Sequence, residues 1–250
     1  MRVLFSEGSS LTAREFASVL GPAGHHIEVM DPDPRCLLRW CRWVYRIHPC
    51  PPSGLDASGY LRATSSVLRR ERFDVLLPTH EQAWLFAVGR RHLPEGVGLA
   101  VSGSEAFAKV QSKIAFAELL DELGLPQPAW CHLAKVTDLP DWAYPFCLKA
   151  AYSTAGRGVR LVRNRDEAEA TASELLAGST GEVMAQKRAT GDYAQVGALF
   201  HDGSLVAVHT SGQRAIGMGG SAAARGSASI TVSREKTLPA WAVIWHGTGV

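Results

Sequence analysis

Short apolar runs alternate with helical patterns through the first hundred residues. Residues 1–5 form an apolar run typical of a buried strand, and Leu11–Leu20 carries a helical pattern that ends at Gly21-Pro22. Residues 26–30 predict a second strand, and residues 74–77 predict another after a helical stretch. Strand, helix and strand in this order are typical of a parallel sheet covered by crossover helices, so we predict a Rossmann-like domain over residues 1–102.

One segment of this first domain interleaves basic and aromatic side chains. Within residues 35–46 these are Arg35, Arg39, Trp40, Arg42, Trp43, Tyr45 and Arg46. We interpret the segment as an amphipathic helix whose tryptophans pack while its arginines stay in solvent. A helix that binds a membrane surface or a nucleic acid is the alternative.

The pattern changes near residue 103. A last short strand of the first domain is predicted at 99–102. Beyond it, helices are predicted at residues 112–123, 166–176 and 238–245, and strands at 146–149, 159–162 and 182–186, with a β-hairpin that turns at Asp202-Gly203. Antiparallel pairs of this kind make the second half an α+β domain. The fold class is therefore α/β, with a parallel-sheet domain followed by an α+β domain.

Composition narrows the function classes. The 250 residues include 26 basic and 24 acidic side chains, and a formal net charge of +2 argues against a dedicated nucleic-acid binder. No run reaches the roughly 18 apolar residues that span a bilayer, and the N-terminus lacks a secretory signal pattern. We expect a cytoplasmic protein with neither nucleic-acid nor membrane partners.

Five cysteines occur at irregular spacing without a CxxC pair, namely Cys36, Cys41, Cys50, Cys131 and Cys147. An odd number in this arrangement favours free thiols in a reducing compartment. A metal cluster of Cys36, Cys41, Cys50 and His48 is the alternative, although the spacing is wider than zinc sites usually have.

The most informative segment is KAAYSTAGRGV at residues 149–159. Lys149 ends a strand, and the loop that follows is built from small residues. Glycines let backbone amides approach a phosphate, hydroxyls add donors, and a lysine supplies positive charge. The P-loop pattern is absent here, as is GxGxxG in the first domain, so a glycine-rich hairpin over a nucleotide is favoured. A plain glycine hairpin is the alternative.

Three further features extend this segment in a fixed order. Lys113 opens a helix before Leu-Gly-Leu-Pro-Gln-Pro, the strand at 183–186 runs into Lys-Arg-Ala-Thr-Gly-Asp, and a hairpin follows. Together they resemble the ATP-grasp superfamily, which includes biotin carboxylase, carbamoyl phosphate synthetase and D-alanine ligase. The resemblance covers about residues 110–215 and implies a small lobe over 103–182 and a large lobe over 183–250.

The resemblance implies that ATP lies between these two lobes. Lys113 and Lys149 match the positions that hold the α- and β-phosphates, and Asp192 matches an acidic residue on the ribose hydroxyls. The matching lid residues are Ser153, Thr154, Gly156, Arg157 and Gly158, and the matching hinge residues, whose backbone lines adenine, are Gln186, Lys187, Arg188 and Ala189. Ala155 and Gln186 depart from the glycine and glutamate that are frequent in the family.

Other positions concern the substrates and the metal. Arg214 and Arg225 lie in stretches that resemble the family's active-site segment, and there they would neutralise charge on the transferred phosphoryl group. The alternative is that both are solvated loop arginines. His80 and Glu81 follow a strand and are candidate substrate contacts, although Thr79 and Glu81 also fit a helix N-cap. No residue is assigned to a metal, because the family's acidic ligands would lie beyond Val250 in a truncated or naturally short chain.

The resemblance implies an ATP-dependent ligase that activates a carboxylate as an acyl-phosphate for attack by an amine or similar nucleophile. ATP and Mg²⁺ are the expected cofactors, small-molecule carboxylates and amines the expected partners, and a homodimer is one assembly considered. Because the metal ligands would lie beyond Val250, a non-catalytic ATP-binding module is the alternative. A biotin-carboxylase-like enzyme acting on bicarbonate is a third hypothesis.

Overall fold

The computed structural model of the chain describes residues 1–153, 156–178, 181–191, 194–212 and 229–231. The chain divides into two compact units, Met1–Phe107 and the part from Ala108 onward. In the first unit a five-stranded sheet has the order β3-β2-β1-β4-β5, and every neighbouring pair is parallel. Its strands are β1 (Arg2–Phe5), β2 (His26–Asp31), β3 (Val44–Pro49), β4 (Val75–Leu77) and β5 (Gly98–Leu99).

Helices cover both faces of this sheet, as the predicted crossover order requires. Alternate residues of β1 point to opposite faces, so Phe5 packs with α1 (Leu11–Leu20) while Leu4 packs with α2 (Ala57–Glu71). The side chains of Ser10 and Asp56 cap these two helices by accepting from backbone N–H groups. The remaining helices of this region are α3 (Gln82–Val88) and α4 (Ser104–Gln111), which crosses the boundary between the units.

The predicted amphipathic helix over residues 35–46 is wrong. A short 3-10 turn at Leu37–Trp40 is followed by β3, whose β-branched residues Val44 and Ile47 and aromatic Tyr45 favour a strand. Trp43 packs so closely on Gly21 that a Cβ there would lie 2.3 Å from its ring, whereas Trp40 is 83% exposed. The strand predicted at 99–102 lies earlier, at β5.

The second unit contains two antiparallel sheets. The four-stranded sheet has the order β6-β9-β7-β8, and a hairpin with one further strand forms a three-stranded sheet in the order β10-β11-β12. The strands are β6 (Trp130–Leu133), β7 (Phe146–Ala150), β8 (Val159–Val162), β9 (Val183–Lys187), β10 (Ala194–His201), β11 (Ser204–Gly212) and β12 (Ser229–Thr231), and the helices are α5 (Lys113–Glu122) and α6 (Arg165–Leu176).

The two helices pack on opposite faces of the four-stranded sheet. Phe146, Leu148 and Ala185 lie in one core with Ala168 of α6. Met184 lies in another core with Ile114 of α5. Because successive side chains of a strand alternate, Lys149 and Gln186 belong to the α5 face. Among the described residues, no helix has both the length and the hydropathy needed to cross a membrane.

Candidate functional site

Lys149 extends from the end of β7 over the α5 face of the sheet. Cys147 is paired with Gln186 of β9 in the antiparallel register, so Lys149, two residues further along, lies diagonally across from Gln186. The Lys149 ammonium donates a hydrogen bond to Gln186 Oε1 at 2.8 Å. Burial lowers the pKa of Lys149, because its charged form loses hydration.

Lys113 is the first residue of α5, and the chain fixes its position through backbone contacts. Its backbone N–H donates to Ala151 O at 2.9 Å, and the preceding Ser112 caps the helix by accepting from Ala115 N. Its ammonium donates to the carbonyl of Ser153 at 3.0 Å and to Ser153 Oγ at 2.9 Å. Burial, together with the neighbouring charge of Lys149, lowers the pKa of Lys113 from 10.5 to about 8.

The glycine-rich hairpin that follows β7 closes tightly between Gly156 and Gly158. Gly156 has a φ of 72°, in the left-handed region that favours glycine, and its carbonyl accepts from Val159 N at 3.1 Å. A Cβ at Gly158 would lie 2.5 Å from Ser153 Cβ, so only glycine fits this position without movement. Ser153, the residue that holds Lys113, is therefore packed against the hairpin itself.

The two lysines are not neutralised by the described residues around them. Their hydrogen-bond partners are an amide and a serine, and within the described part of the chain neither ammonium forms an ion pair with a carboxylate. Two partly buried cations beside neutral acceptors form a site of positive potential. Such a site favours an anion that accepts several charge-assisted hydrogen bonds.

The hinge positions separate onto the two faces of the sheet. Gln186 lies on the face of the lysine pair, but Lys187 lies on the other face, with its ammonium 5.5 Å from the centre of the Trp142 ring. The backbone N–H of Lys187 donates to Ala129 O at 2.8 Å. Arg188, Ala189 and Arg157 of the hairpin are exposed. The Lys187 side chain is thus not part of the lysine pair.

Other predicted residues lie elsewhere. His80 and Glu81 are exposed in the first unit, shortly after β4. Glu81 occupies the N-cap position of α3, as the N-cap interpretation predicts, but its side chain makes no capping hydrogen bond. Thr79 is buried, and its hydroxyl donates to Glu7 Oε1 at 2.8 Å. Four predicted positions fall outside the described residues: Thr154, Asp192, Arg214 and Arg225.

Sequence reasoning missed a buried polar network at the carboxyl edge of the first sheet. Glu7 accepts from the backbone N–H groups of Ser9 and Ser10, and Asp31 accepts from Gly8 N at 2.8 Å. Acidic residues directly after β1 and at the end of β2 were the available signal. The network uses both carboxylates to hold the loop between β1 and α1.

The cysteines are free, as predicted. Burial raises the pKa of Cys36, and it raises that of Cys50 to about 12, so both thiols stay protonated at neutral pH. The group of ligand atoms that does come together within 4.8 Å among the described residues is Glu28, His48 and Glu71, which includes no cysteine. The alternative of a cysteine metal cluster is therefore not supported.

No protein-family model matches the sequence. The large chain of carbamoyl phosphate synthase from Helicobacter pylori (strain J99 / ATCC 700824) is 26% identical over 136 residues, which are 51% of this chain and 12% of that protein. The chain therefore spans about an eighth of the length of this curated relative.

Solved structures resemble more of the chain. An L-amino acid ligase from Bacillus licheniformis matches 90% of this chain and 54% of its own, at 15% identity and a TM-score of 0.66. The biotin carboxylase domain dimer of the Hydrogenobacter thermophilus 2-oxoglutarate carboxylase, solved with ADP, its magnesium salt and bicarbonate, matches 84% of this chain and 50% of its own, at 15% identity and a TM-score of 0.65.

The similar structures agree with the fold that the sequence resembles, a parallel-sheet domain followed by an α+β domain. Biotin carboxylase and carbamoyl phosphate synthase are both members of the superfamily that these features resemble. The chain therefore has the fold of the ATP-grasp superfamily.

Proposed function

We propose that this chain binds ATP through Lys113, Lys149 and the glycine-rich hairpin, as part of an ATP-dependent ligase. The observation that carries the proposal is the pair of partly buried lysines, whose ammonium groups donate hydrogen bonds to Ser153 and Gln186 rather than to carboxylates. A polyphosphate supplies the negative oxygens that these donors lack. The named relatives include a ligase and, separately, a biotin carboxylase domain solved with ADP, which supports an adenine nucleotide as the ligand.

In the proposed reaction a substrate carboxylate oxygen attacks the γ-phosphorus of ATP and the bond to the β-phosphate oxygen breaks. The products of this step are an acyl-phosphate and ADP. An amine then attacks the acyl carbon, inorganic phosphate leaves, and the amine loses a proton as the amide forms. Lys113 and Lys149 hold the phosphates and offset their charge, which lowers the barrier to transfer by positioning and electrostatics.

Mg²⁺ is the metal such transfers use, and it requires oxygen ligands, usually with one or two carboxylates. The described residues in contact with the two lysines are Gln186 and Ser153, which offer no carboxylate. These residues do not form a magnesium site. The carboxylate and amine substrates, and a homodimer like the biotin carboxylase domain dimer, remain parts of the proposal.

Calorimetric titration of ATP, with and without Mg²⁺, tests the proposal on the chain and on Lys149→Ala. We expect micromolar binding that is lost in Lys149→Ala and retained in Lys135→Ala, which removes a lysine that is 72% exposed and lies elsewhere in the same unit. Absence of ATP binding by the unsubstituted chain would refute the proposal. ATP binding without ADP formation, in the presence of carboxylates and amines, would favour a non-catalytic binding module instead.

A further inference from the structure

The exposed side of α2 and the residue after it form a surface rich in arginine. One concavity of about 380 Å³ is lined by Arg2, Arg70, Glu71 and Arg72. A second, of about 730 Å³, is lined by one side of α2 and by His92. Arg70 lines both, so the two concavities adjoin, and we refer to them together as the α2 basic groove.

Positive charge exceeds negative charge in the α2 basic groove. Its one acidic lining residue, Glu71, is shared among three guanidinium groups, with oxygen-to-nitrogen distances of 2.6 Å to Arg46, 3.5 Å to Arg70 and 3.7 Å to Arg2. Arg62 and Arg72 have no ion-pair or hydrogen-bond partner within the described part of the chain. Their charges are therefore available to a ligand.

The nearby ligand group of Glu28, His48 and Glu71 does not favour a cation. Arg2 Nη2 already lies 2.8 Å from Glu28 Oε1, and His48 Nε2 lies 2.7 Å from Glu28 Oε2. A metal ion at this place would have to approach the Arg2 guanidinium. In addition, Arg2 Nε is buried without a hydrogen-bond partner, which leaves an unsatisfied donor on a residue that lines the groove.

Arg72 is held in a conformation that its residue type does not favour. It follows the last turn of α2 with a φ of 43°, in the left-handed region where glycine is usual. The Arg72 side chain is exposed and lines the smaller concavity. Non-glycine residues in this region often occur at ligand clamps. A helix C-terminus also attracts basic residues for its dipole alone, so an experiment must separate the two roles.

Hydroxyl groups complete the lining. Ser58 and Ser66 line the larger concavity beside Arg62 and Arg69. The Ser65 hydroxyl also lines it, but it donates to His92 O at 2.7 Å and accepts from Arg69 Nε at 3.3 Å. Guanidinium groups with serine hydroxyls are the donors that recognise phosphate oxygens. No Phe, Tyr or Trp lines either described concavity, so stacking of nucleic-acid bases is not offered. We propose that the α2 basic groove binds a small anion with two or more phosphate groups, independently of the lysine pair.

Calorimetric titration of inorganic tripolyphosphate tests this proposal on the full chain. The titration uses the Lys149→Ala background, so that the lysine pair does not compete for the probe. We expect binding that weakens at least about tenfold in Arg72→Gly, the loss of roughly one charge-assisted hydrogen bond. Arg62→Gln should weaken it similarly, while Arg14→Gln, an exposed arginine of α1, should leave it unchanged.

Arg72→Gly also removes the backbone strain of a non-glycine residue in the left-handed region, so the melting temperature of this variant should not fall. Equal tripolyphosphate binding in all of these variants would overturn the proposal. Altered melting temperatures with unchanged binding would overturn it as well, because the arginines would then only stabilise the helix end. Tighter binding of a ten-nucleotide single-stranded RNA than of tripolyphosphate, through the same arginines, would replace the small anion with a nucleic acid.

Discussion

The Lys149 ammonium donates to the amide oxygen of Gln186 at 2.8 Å, so a partly buried cation rests on a neutral acceptor. Its charge is consequently not neutralised at this contact, and it also lowers the pKa of Lys113. The site therefore gains its positive potential from two features together, the burial of the lysines and the residue type at position 186. A substitution at position 186 changes only the second of these features.

Gln186→Glu should weaken ATP binding. A carboxylate beside Lys149 raises the pKa of that lysine and competes with the phosphates for its donors, at a cost to binding of about 1 kcal/mol. The measurement is the calorimetric Kd for ATP at pH 7. Gln111→Glu, which adds the same charge at the exposed end of α4, is the control. An unchanged or tighter Kd in Gln186→Glu would refute this expectation and would fit the glutamate that is frequent at this position in the ATP-grasp superfamily.

ATP binding should depend on pH through Lys113. Its pKa is about 8 without a bound anion, and a phosphate would raise that pKa because it favours the charged form. Affinity is therefore full below about pH 7 and falls as the pH rises through 8, approaching tenfold per pH unit for one linked proton. Lys149, whose pKa is also lowered, adds to the decline at higher pH.

Kd values measured at pH 7, 8 and 9 test this dependence. In Lys113→Arg the guanidinium stays charged throughout, so most of the decline should disappear. Calorimetry in buffers of different ionisation enthalpy gives a second readout, since Lys113 should take up a proton when ATP binds near pH 8. A decline of the same size in Lys113→Arg would assign the titration to another group.

Much of the fold could be predicted because local signals agreed with tertiary packing. The limits of α1 match the pattern from Leu11 to Leu20, since Ser10 caps its start and Gly21 follows its end. The hairpin turn at Asp202-Gly203 has positive φ at both residues, 48° and 76°, as the sequence indicated. The helix predicted over residues 35–46 was wrong because the spacing of the arginines suggested a helix, whereas Val44, Tyr45 and Ile47 favour the edge strand β3.

The candidate site was harder to predict from the sequence than the fold, because its contacts depend on the register of the strands. The contact of Lys113 with Ser153 joins residues 40 positions apart, and only the folded sheet brings them together. A step of one residue along β9 puts Gln186 and Lys187 on opposite faces. That alternation was available in the sequence and could have separated the two side chains. The resemblance marked both positions as hinge residues without distinguishing their faces.

Glu81→Ala should leave ATP affinity unchanged and alter substrate use. Glu81 is exposed, makes no capping bond and lies in the first unit, so unfolding free energy should change by less than about 0.5 kcal/mol. The measurement compares the ATP Kd with ADP release across a panel of carboxylates and amines. Gln82→Ala is unsuitable as a control because Gln82 accepts from Ser6, so Glu105→Ala on α4 serves instead. Weakened ATP binding in Glu81→Ala would contradict its assignment to substrate.

Gly158→Ala tests whether the hairpin positions Lys113. The new Cβ would lie 2.5 Å from Ser153 Cβ and 2.6 Å from Ser153 Oγ, so Ser153 must move and its two hydrogen bonds from Lys113 must lengthen. Forcing a methyl group into such a contact costs about 1–3 kcal/mol of folding stability. ATP affinity should fall in the same variant, because the ammonium loses its fixed position.

Gly197→Ala is the matched control, since a Cβ at Gly197 of β10 meets nothing within 4 Å. Thermal unfolding and the ATP Kd are measured for both variants. The double variant Gly158→Ala with Ser153→Gly restores space at the hairpin and should recover stability, but it also removes the hydroxyl that Lys113 contacts. Recovery of stability without full recovery of ATP affinity is the outcome that assigns Ser153 to positioning Lys113; unchanged affinity in Gly158→Ala would show that the hairpin does not act through this lysine.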